Sequence, residues 1–239
     1  MIIISGCNSS FYLCIRQFLN NIKHYIRPCD KLYVVDLGLT NKQYNFLKSR
    51  NYQDKFNFEL VQIPHEVIEK YPPHVKDLQT YAFKALIFDY LILKKNIKDK
   101  VIWLDSANLI YNNMIEIEIL IHQTKIYSPY SAETIKRYCH PLTIERMKYE
   151  GSLDNDMLSG GCIGVNTNTD AGLCFLKDFC NLCFNKDIIV PEGSNKSNHR
   201  QDQSVLTILY WNYHKLYHLH RVKEWKFISF HNNLWLHEV

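Results

Sequence analysis

The sequence holds little glycine and little proline, 8 Gly and 7 Pro in 239 residues. That excludes a collagen-like chain and a linker-like chain. Long apolar runs are missing too. The longest, such as 101–104 and 188–190, are strand-sized, whereas a spanning helix needs about 20 residues. The opening Met-Ile-Ile-Ile-Ser-Gly has no basic segment and only three apolar residues after Met1. It reads as a strand and not as a signal peptide, so a cytoplasmic chain with no transmembrane segment is expected. An arginine-rich stripe with interleaved aromatics is also absent. The net charge is only +4, and the densest basic group, Lys94, Lys95, Lys98 and Lys100, suits a solvated helix end. Nucleic acid is therefore not an expected partner.

Zinc-site spacing is missing as well. His214 and His218 stand four apart with no acidic residue between them. Cys180-x-x-Cys183 falls in a stretch of helical periodicity with Leu173 and Leu176, which favours buried helix cysteines over a metal knuckle. Without a secretion signal the 8 Cys read as free thiols.

What remains is an ordinary globular composition: 46% hydrophobic, 13% aromatic and 22% charged, enough apolar content to exclude disorder over most of the chain. The first hundred residues alternate strand and helix. Strands are expected at 1–5, 31–36, 56–63 and 101–104. Helices are expected after Ser9 or Ser10 (with Phe11, Leu13, Cys14, Phe18, Leu19 and Ile22 inward), after a Thr40 cap through Leu47, and over 77–93. The second half predicts a helix at 114–122, a strand at 125–128, a mostly helical stretch at 132–149 and a strand at 160–166. A helix at 169–184, a polar loop at 191–199, a helix at 200–213 and a final strand at 226–230 follow. This alternation argues for an α/β fold with a mostly parallel central sheet flanked by helices.

In such sheets ligands bind beyond the C-terminal strand ends. That rule gathers Gly6-Cys7-Asn8-Ser9, Asp36-Leu37-Gly38 and Asp105-Ser106-Ala107-Asn108 into one candidate site. Asp105, directly after Val-Ile-Trp-Leu, suits divalent-cation binding next to a diphosphate, although an Asp there can also cap its own loop. Gly160-Gly161 lets backbone approach a ligand closely or makes a tight turn. His199-Arg200-Gln201-Asp202-Gln203 opens an apolar helix, where Asp202 is either a stabilising first-turn acid or a group of the reaction. Lys84 is either a surface lysine or a phosphate ligand.

The order of strand–Asp105, Ser-Gly160-Gly161 strand and Asp202-Gln203 on a helix resembles glycosyltransferases of the nucleotide-diphospho-sugar transferase superfamily, with the GT-A fold. It is closest to the glycogenin-like branch, glycosyltransferase family 8. The segments Ser5-Gly-Cys-Asn-Ser-Ser10, Val35-Asp-Leu-Gly-Leu39, Tyr81-Ala-Phe-Lys84, Val101-Ile-Trp-Leu-Asp105, Val190-Pro-Glu-Gly-Ser194 and His199-Arg-Gln-Asp-Gln-Ser204 also look like an uncharacterised eukaryotic group of that superfamily. The resemblance implies a single domain over 1–239, with a nucleotide-binding half at 1–110 and a sugar- and acceptor-binding half at 111–239. It implies transfer from a nucleotide-diphosphate sugar, a UDP-sugar by that resemblance, to a glycan, protein or small-molecule acceptor, with retention favoured over inversion. Gly6, Cys7, Asn8, Ser9, Asp36, Lys84, Asp105 and Ser106 would serve the nucleotide. Gly160, Gly161, His199 and Asp202 would face the sugar, and Asp202 and Gln203 would be catalytic. Asp105 and His231 would hold Mn2+ or Mg2+.

One departure bears on the metal: Ala107 stands where the Asp-x-Asp motif has its second acid. It also supports the alternative of a non-catalytic nucleotide-sugar-binding protein on the same fold. A nucleotidyltransferase is disfavoured, because the loop after the first strand is neither glycine-rich nor basic.

Overall fold

The computed structural model describes residues 1–219 and the backbone of 228–229. Ten strands are described: β1 (Ile2–Cys7), β2 (Lys31–Asp36), β3 (Glu59–Val61), β4 (Lys100–Leu104), β5 (Leu109–Ile110), β6 (Ile126–Tyr127), β7 (Tyr130–Thr134), β8 (Asp156–Leu158), β9 (Cys162–Asn166) and β10 (Ile228–Ser229). Six of them form the central sheet in the order β3-β2-β1-β4-β9-β6. β1 pairs in parallel with β2 and β4, and β2 with β3, whereas β9 runs antiparallel to both β4 and β6. The sheet thus takes strands from both sides of the expected division near residue 110. The two small sheets β10-β5 and β7-β8 sit apart from it.

The central strands are buried on both faces, which is why they read as continuous apolar runs. Alternation along β1 sends Ile2 and Ile4 into one core and Ile3 into the other. The Ile2/Ile4 face carries helices Phe83–Phe88 and Asp170–Cys183, with helix Asp202–Tyr217 packed beyond. The opposite face carries Tyr12–Ile22 and Met114–Thr124 through Ile15, Phe18, Leu19, Ile22, Ile117 and Ile121. Thr40 caps Asn41–Lys48 in a capping box with Gln43.

The structure corrects several local expectations. Phe11 and Leu13 are exposed, and Ile15 takes the inward position instead. The expected strand at 56–63 shrinks to β3, because Arg50–Phe56 is helical. The stretch expected as helix from 132 begins as β7.

The expected helix over 77–93 is broken. Leu78–Thr80 is a 3-10 turn, Tyr81 is left-handed at φ 58°, and the α-helix starts only at Phe83. The Thr80 hydroxyl supplies a cause: it donates to the carbonyls of His74 and Asp77 and accepts from Ala82 N, competing with helical bonding. Because of the break, Lys84 falls in the first turn of a new helix, close to the sheet edge.

Candidate active site

The C-terminal ends of β1, β2 and β4 meet at one edge. Cys7 pairs with Asp36, and Ile4 with Trp103, so the turns after β1 and β2 stand beside the residues that follow β4. Asp36 Oδ1 accepts from the amides of Gly38 and Leu39 at 2.8 Å, and Asn8 Oδ1 from those of Ser10 and Phe11. The two turns are joined where Ser9 N donates to Gly38 O.

Asn8, Ser9 and Asp36 therefore form one polar ledge. Gly6 and Cys7 lie beneath it, inside the protein. A Cβ on Gly6 would come within 3.1–3.3 Å of Leu37, Val35 O and Trp103, so this glycine exists for packing. Cys7 is buried, and burial pushes its thiol up to about 12.

Next to this ledge is a cleft of about 420 Å³ lined by Lys84, Asp105, Gly160, Gly161, Asp202 and Gln203, with Tyr81, Lys196, Arg200 and Gln201 among its further walls. Lys84 stands at its floor, 2% exposed. Its Nζ donates to Gly160 O at 2.7 Å and lies 3.1 Å from Asp105 Oδ1 and 3.0 Å from Asp202 Oδ2. Burial works against the ammonium, but Asp105 and Asp202 outweigh it and hold Lys84 above its usual range. An unpaired charge at this depth would cost several kcal/mol.

Burial is the largest influence on Asp202 as well. It raises the carboxyl to about 6 although Lys84 pulls the other way. Oδ2 of Asp202 is buried and faces the Lys84 ammonium at 3.0 Å, an ion pair in the cleft wall.

The backbone shapes this edge. Asp105 N and Asn108 Nδ2 both donate to Gly161 O, at 2.9 and 2.7 Å, tying the β4 exit to the Gly160-Gly161 turn. A Cβ on Gly160 would stand 2.9 Å from Asp202 Oδ2. Gln201, just before Asp202, has φ 41° and ψ −116°, a sparsely populated conformation of the kind found at functional sites. Ser106 is buried and is not among the lining residues.

His199 stands behind the cleft and faces no ligand space. It is fully buried, Nδ1 accepts from His140 N at 3.3 Å, and Nε2 bonds the Ile189 carbonyl at 3.0 Å. Burial lowers its imidazole to about 4. Its neutral ring thus braces the 190–200 segment, contrary to the sugar contact the resemblance implied.

A divalent cation finds a poor donor set here. Asp105 is one carboxylate, and its Oδ1 already accepts from Trp103 Nε1 at 2.6 Å and faces Lys84. Ala107 has no donor atom. Asn108 Oδ1 is an orphaned acceptor, but Asn108 does not line the cleft. No group of three His, Cys, Asp or Glu suited to a metal occurs among the described residues. These residues do not fit the several oxygen ligands a hard cation asks for. His231 lies outside the described residues.

Sequence reasoning missed Tyr81 and Trp103. The Lys84 Nζ lies 5.5 and 5.7 Å from their ring centroids. Strand alternation held the signal for Trp103, since positions 103 and 105 share a face. Nothing in the sequence marks the left-handed turn at Tyr81.

No protein-family model and no curated protein matches this sequence. Solved structures do match in shape. One is the galactosyltransferase LgtC in complex with donor and acceptor sugar analogues, with 14% identity and a TM-score of 0.51, covering 88% of this chain and 70% of that one. The glycosyltransferase GlyE of Streptococcus pneumoniae TIGR4 has 13% identity and a TM-score of 0.54, with 88% and 43% covered. The bifunctional glycosyltransferase WbbM has 11% identity and a TM-score of 0.57, with 88% and 37% covered. At these identities the likeness is one of fold, and the chain has the α/β architecture of GT-A glycosyltransferases.

Proposed function

We propose that this chain is a glycosyltransferase that moves a sugar from a nucleotide diphosphate, with uridine as the base, to an acceptor hydroxyl on a glycan, protein or small molecule. The observation that carries this reading is the cluster of Lys84, Asp105 and Asp202, from three separate segments, at the strand edge of a sheet shared with glycosyltransferases. The Asn8, Ser9 and Asp36 ledge is the place for base and ribose. Gly160, Gly161 and Asp202 line the cleft in which the sugar would lie.

The C1–O bond to the diphosphate breaks, and its electron pair goes to the diphosphate oxygen. The acceptor oxygen forms the new bond to C1 and gives its proton to the departing diphosphate oxygen in the retaining course, or to the Asp202 carboxylate in the inverting one. Negative charge collects on the departing diphosphate, where fixed cations are most effective.

In the retaining course, which the family 8 motif order favours, Asp202 steadies the oxocarbenium-like centre and Gln203 orients the sugar. One observation favours the inverting alternative. A carboxyl raised to about 6 is close to what a general base needs at neutral pH.

No described helix is long and apolar enough to cross a membrane. All eight cysteines are free, which supports a reducing, cytoplasmic setting.

Thermal unfolding against UDP, GDP and ADP tests the donor site. A ligand at 100 times its Kd adds about 2.7 kcal/mol, a rise of roughly 5–10 °C for a chain of this size. Transfer from the matching nucleotide sugar, followed by NMR of the product's anomeric proton, then decides turnover and stereochemistry. No shift with any nucleotide removes the donor site. A shift without turnover leaves the non-catalytic binding protein.

A further inference from the structure

We propose, resting on the donor site described above, that fixed protein cations do here the work of a divalent metal, so that the nucleotide diphosphate binds and leaves without one. Three observations converge on this. Ala107 stands where the resembled Asp-x-Asp motif has its second acid, and Asp105 Oδ1 is already engaged by Trp103 Nε1 and by Lys84 Nζ. Lys84 is the only ammonium on the cleft floor among the described residues. It sits between the two carboxylates that otherwise would repel each other and any phosphate.

The third observation is charge that no acid balances. Lys196 and Arg200 line the same cleft. Among the described residues neither forms an ion pair. Each lies instead near an aromatic ring, Lys196 Nζ at 6.0 Å from the Tyr81 centroid and the Arg200 guanidinium at 4.3 Å from that of Tyr138. Ring faces attract a cation without neutralising it.

The cleft therefore carries three cations against two carboxylates, an excess of one positive charge that attracts an entering anion. The ammonium and guanidinium stay protonated throughout. They stabilise the negative charge on the diphosphate oxygen by charge-assisted hydrogen bonding, and no proton changes hands at Lys84. Nζ of Lys84 faces Gly160 O, Asp105 Oδ1 and Asp202 Oδ2 at 2.7, 3.1 and 3.0 Å, so it contributes its charge from the floor. Lys196 and Arg200, which line the cleft without an ion pair among the described residues, supply the N–H groups that meet the phosphate oxygens.

The test is thermal unfolding of the full chain with UDP, GDP and ADP, first in EDTA and then in excess Mn2+. The expected result is the same nucleotide-induced rise of about 5–10 °C in both conditions. The double variant K196A/R200A should weaken that nucleotide at least tenfold in EDTA. A107D, which returns the second carboxylate, should gain a further rise on adding Mn2+. A wild-type shift that vanishes in EDTA and returns with Mn2+ overturns the inference while leaving the donor site standing. Absence of any shift in either condition overturns the donor site itself, and the inference with it. The wild-type comparison needs no variant to fold.

Discussion

Lys84 and Asp202 come from separate helices and meet with Nζ and Oδ2 3.0 Å apart, both buried. The pairing explains how a lysine can be placed on the floor of a cleft at all. It also makes the two residues unequal targets. Asp202→Asn leaves Lys84 with Asp105 and the Gly160 carbonyl, so the fold should persist. Sugar transfer should fall by about 10²–10⁴, the usual worth of a positioned acid or base, while the nucleotide thermal shift stays. Unchanged transfer in D202N would remove Asp202 from the chemistry.

Lys84→Met is the harsher change. It leaves Asp105 and Asp202 facing one another with no cation between them, and breaking a buried pair in this way typically costs about 3–5 kcal/mol. Urea unfolding of K84M should show that loss, larger than any loss in D202N. A D202N variant less stable than K84M would mean that Lys84 is not the centre of the cluster.

Gly160→Ala probes the same cluster from the backbone side. The added methyl would stand 2.9 Å from Asp202 Oδ2 and 3.3 Å from Gln203 Cβ, so the carboxylate must move or the turn must open. Far-ultraviolet circular dichroism should be unchanged. Activity should drop at least tenfold, because displacement by about 1 Å at a reacting centre carries a penalty of that order or more.

Much of the fold was legible because the strands are both apolar and bounded by chemistry. Lys31–Asp36 was recovered residue for residue, and Lys100–Leu104 to within one. The Thr40 and Thr169 caps stood in the sequence as hydroxyls before helical periodicity. The rest escaped because tertiary contacts override local pattern. Leu78, Tyr81, Ala82 and Ala85 keep a helical period straight through a left-handed residue, since the period reports burial and not backbone continuity.

At the site, Asp105 and Gly160 adjoin strands and Asp202 opens a helix, places where a sequence points to a ligand edge, whereas Lys84 reads equally as a surface lysine. His199 misled for the opposite reason. Its neighbours in sequence line the cleft, but its ring turns inward to the backbone of His140 and Ile189.

The cysteines give a chemical prediction. Cys29 and Cys174 are exposed, and the other six are buried. Burial holds Cys180 and Cys183 well above the ordinary thiol range, and a thiol kept protonated is a poor nucleophile. Titration with a disulfide reagent should modify two thiols quickly in the native protein and all eight after denaturation. Fast modification of four, with zinc protecting two, would revive a metal role for the Cys180-x-x-Cys183 pair.

His199 contributes to the acid sensitivity of the fold. Its imidazole is fully buried and neutral, lowered from 6.5 to about 4 chiefly by burial. Between those two values the unfolded chain binds the extra proton and the folded chain does not, so stability falls as the pH drops from about 6.5 towards 4. Asp202 acts in the reverse sense. Its carboxyl is raised from 3.8 to about 6, so its contribution is present in acid and is lost as the pH rises through that window. The two slopes overlap, and the wild-type curve alone cannot separate them. Comparison with His199→Gln does. Glutamine keeps a donor and an acceptor but takes up no proton, so the variant should be less stable near neutral pH, by about 1–3 kcal/mol for disturbed buried hydrogen bonds. Its deficit should shrink as the pH falls towards 4, measured by urea unfolding at each pH. A deficit constant between pH 7 and 4 would show that His199 does not titrate in this range, and would place the acid sensitivity of the fold elsewhere.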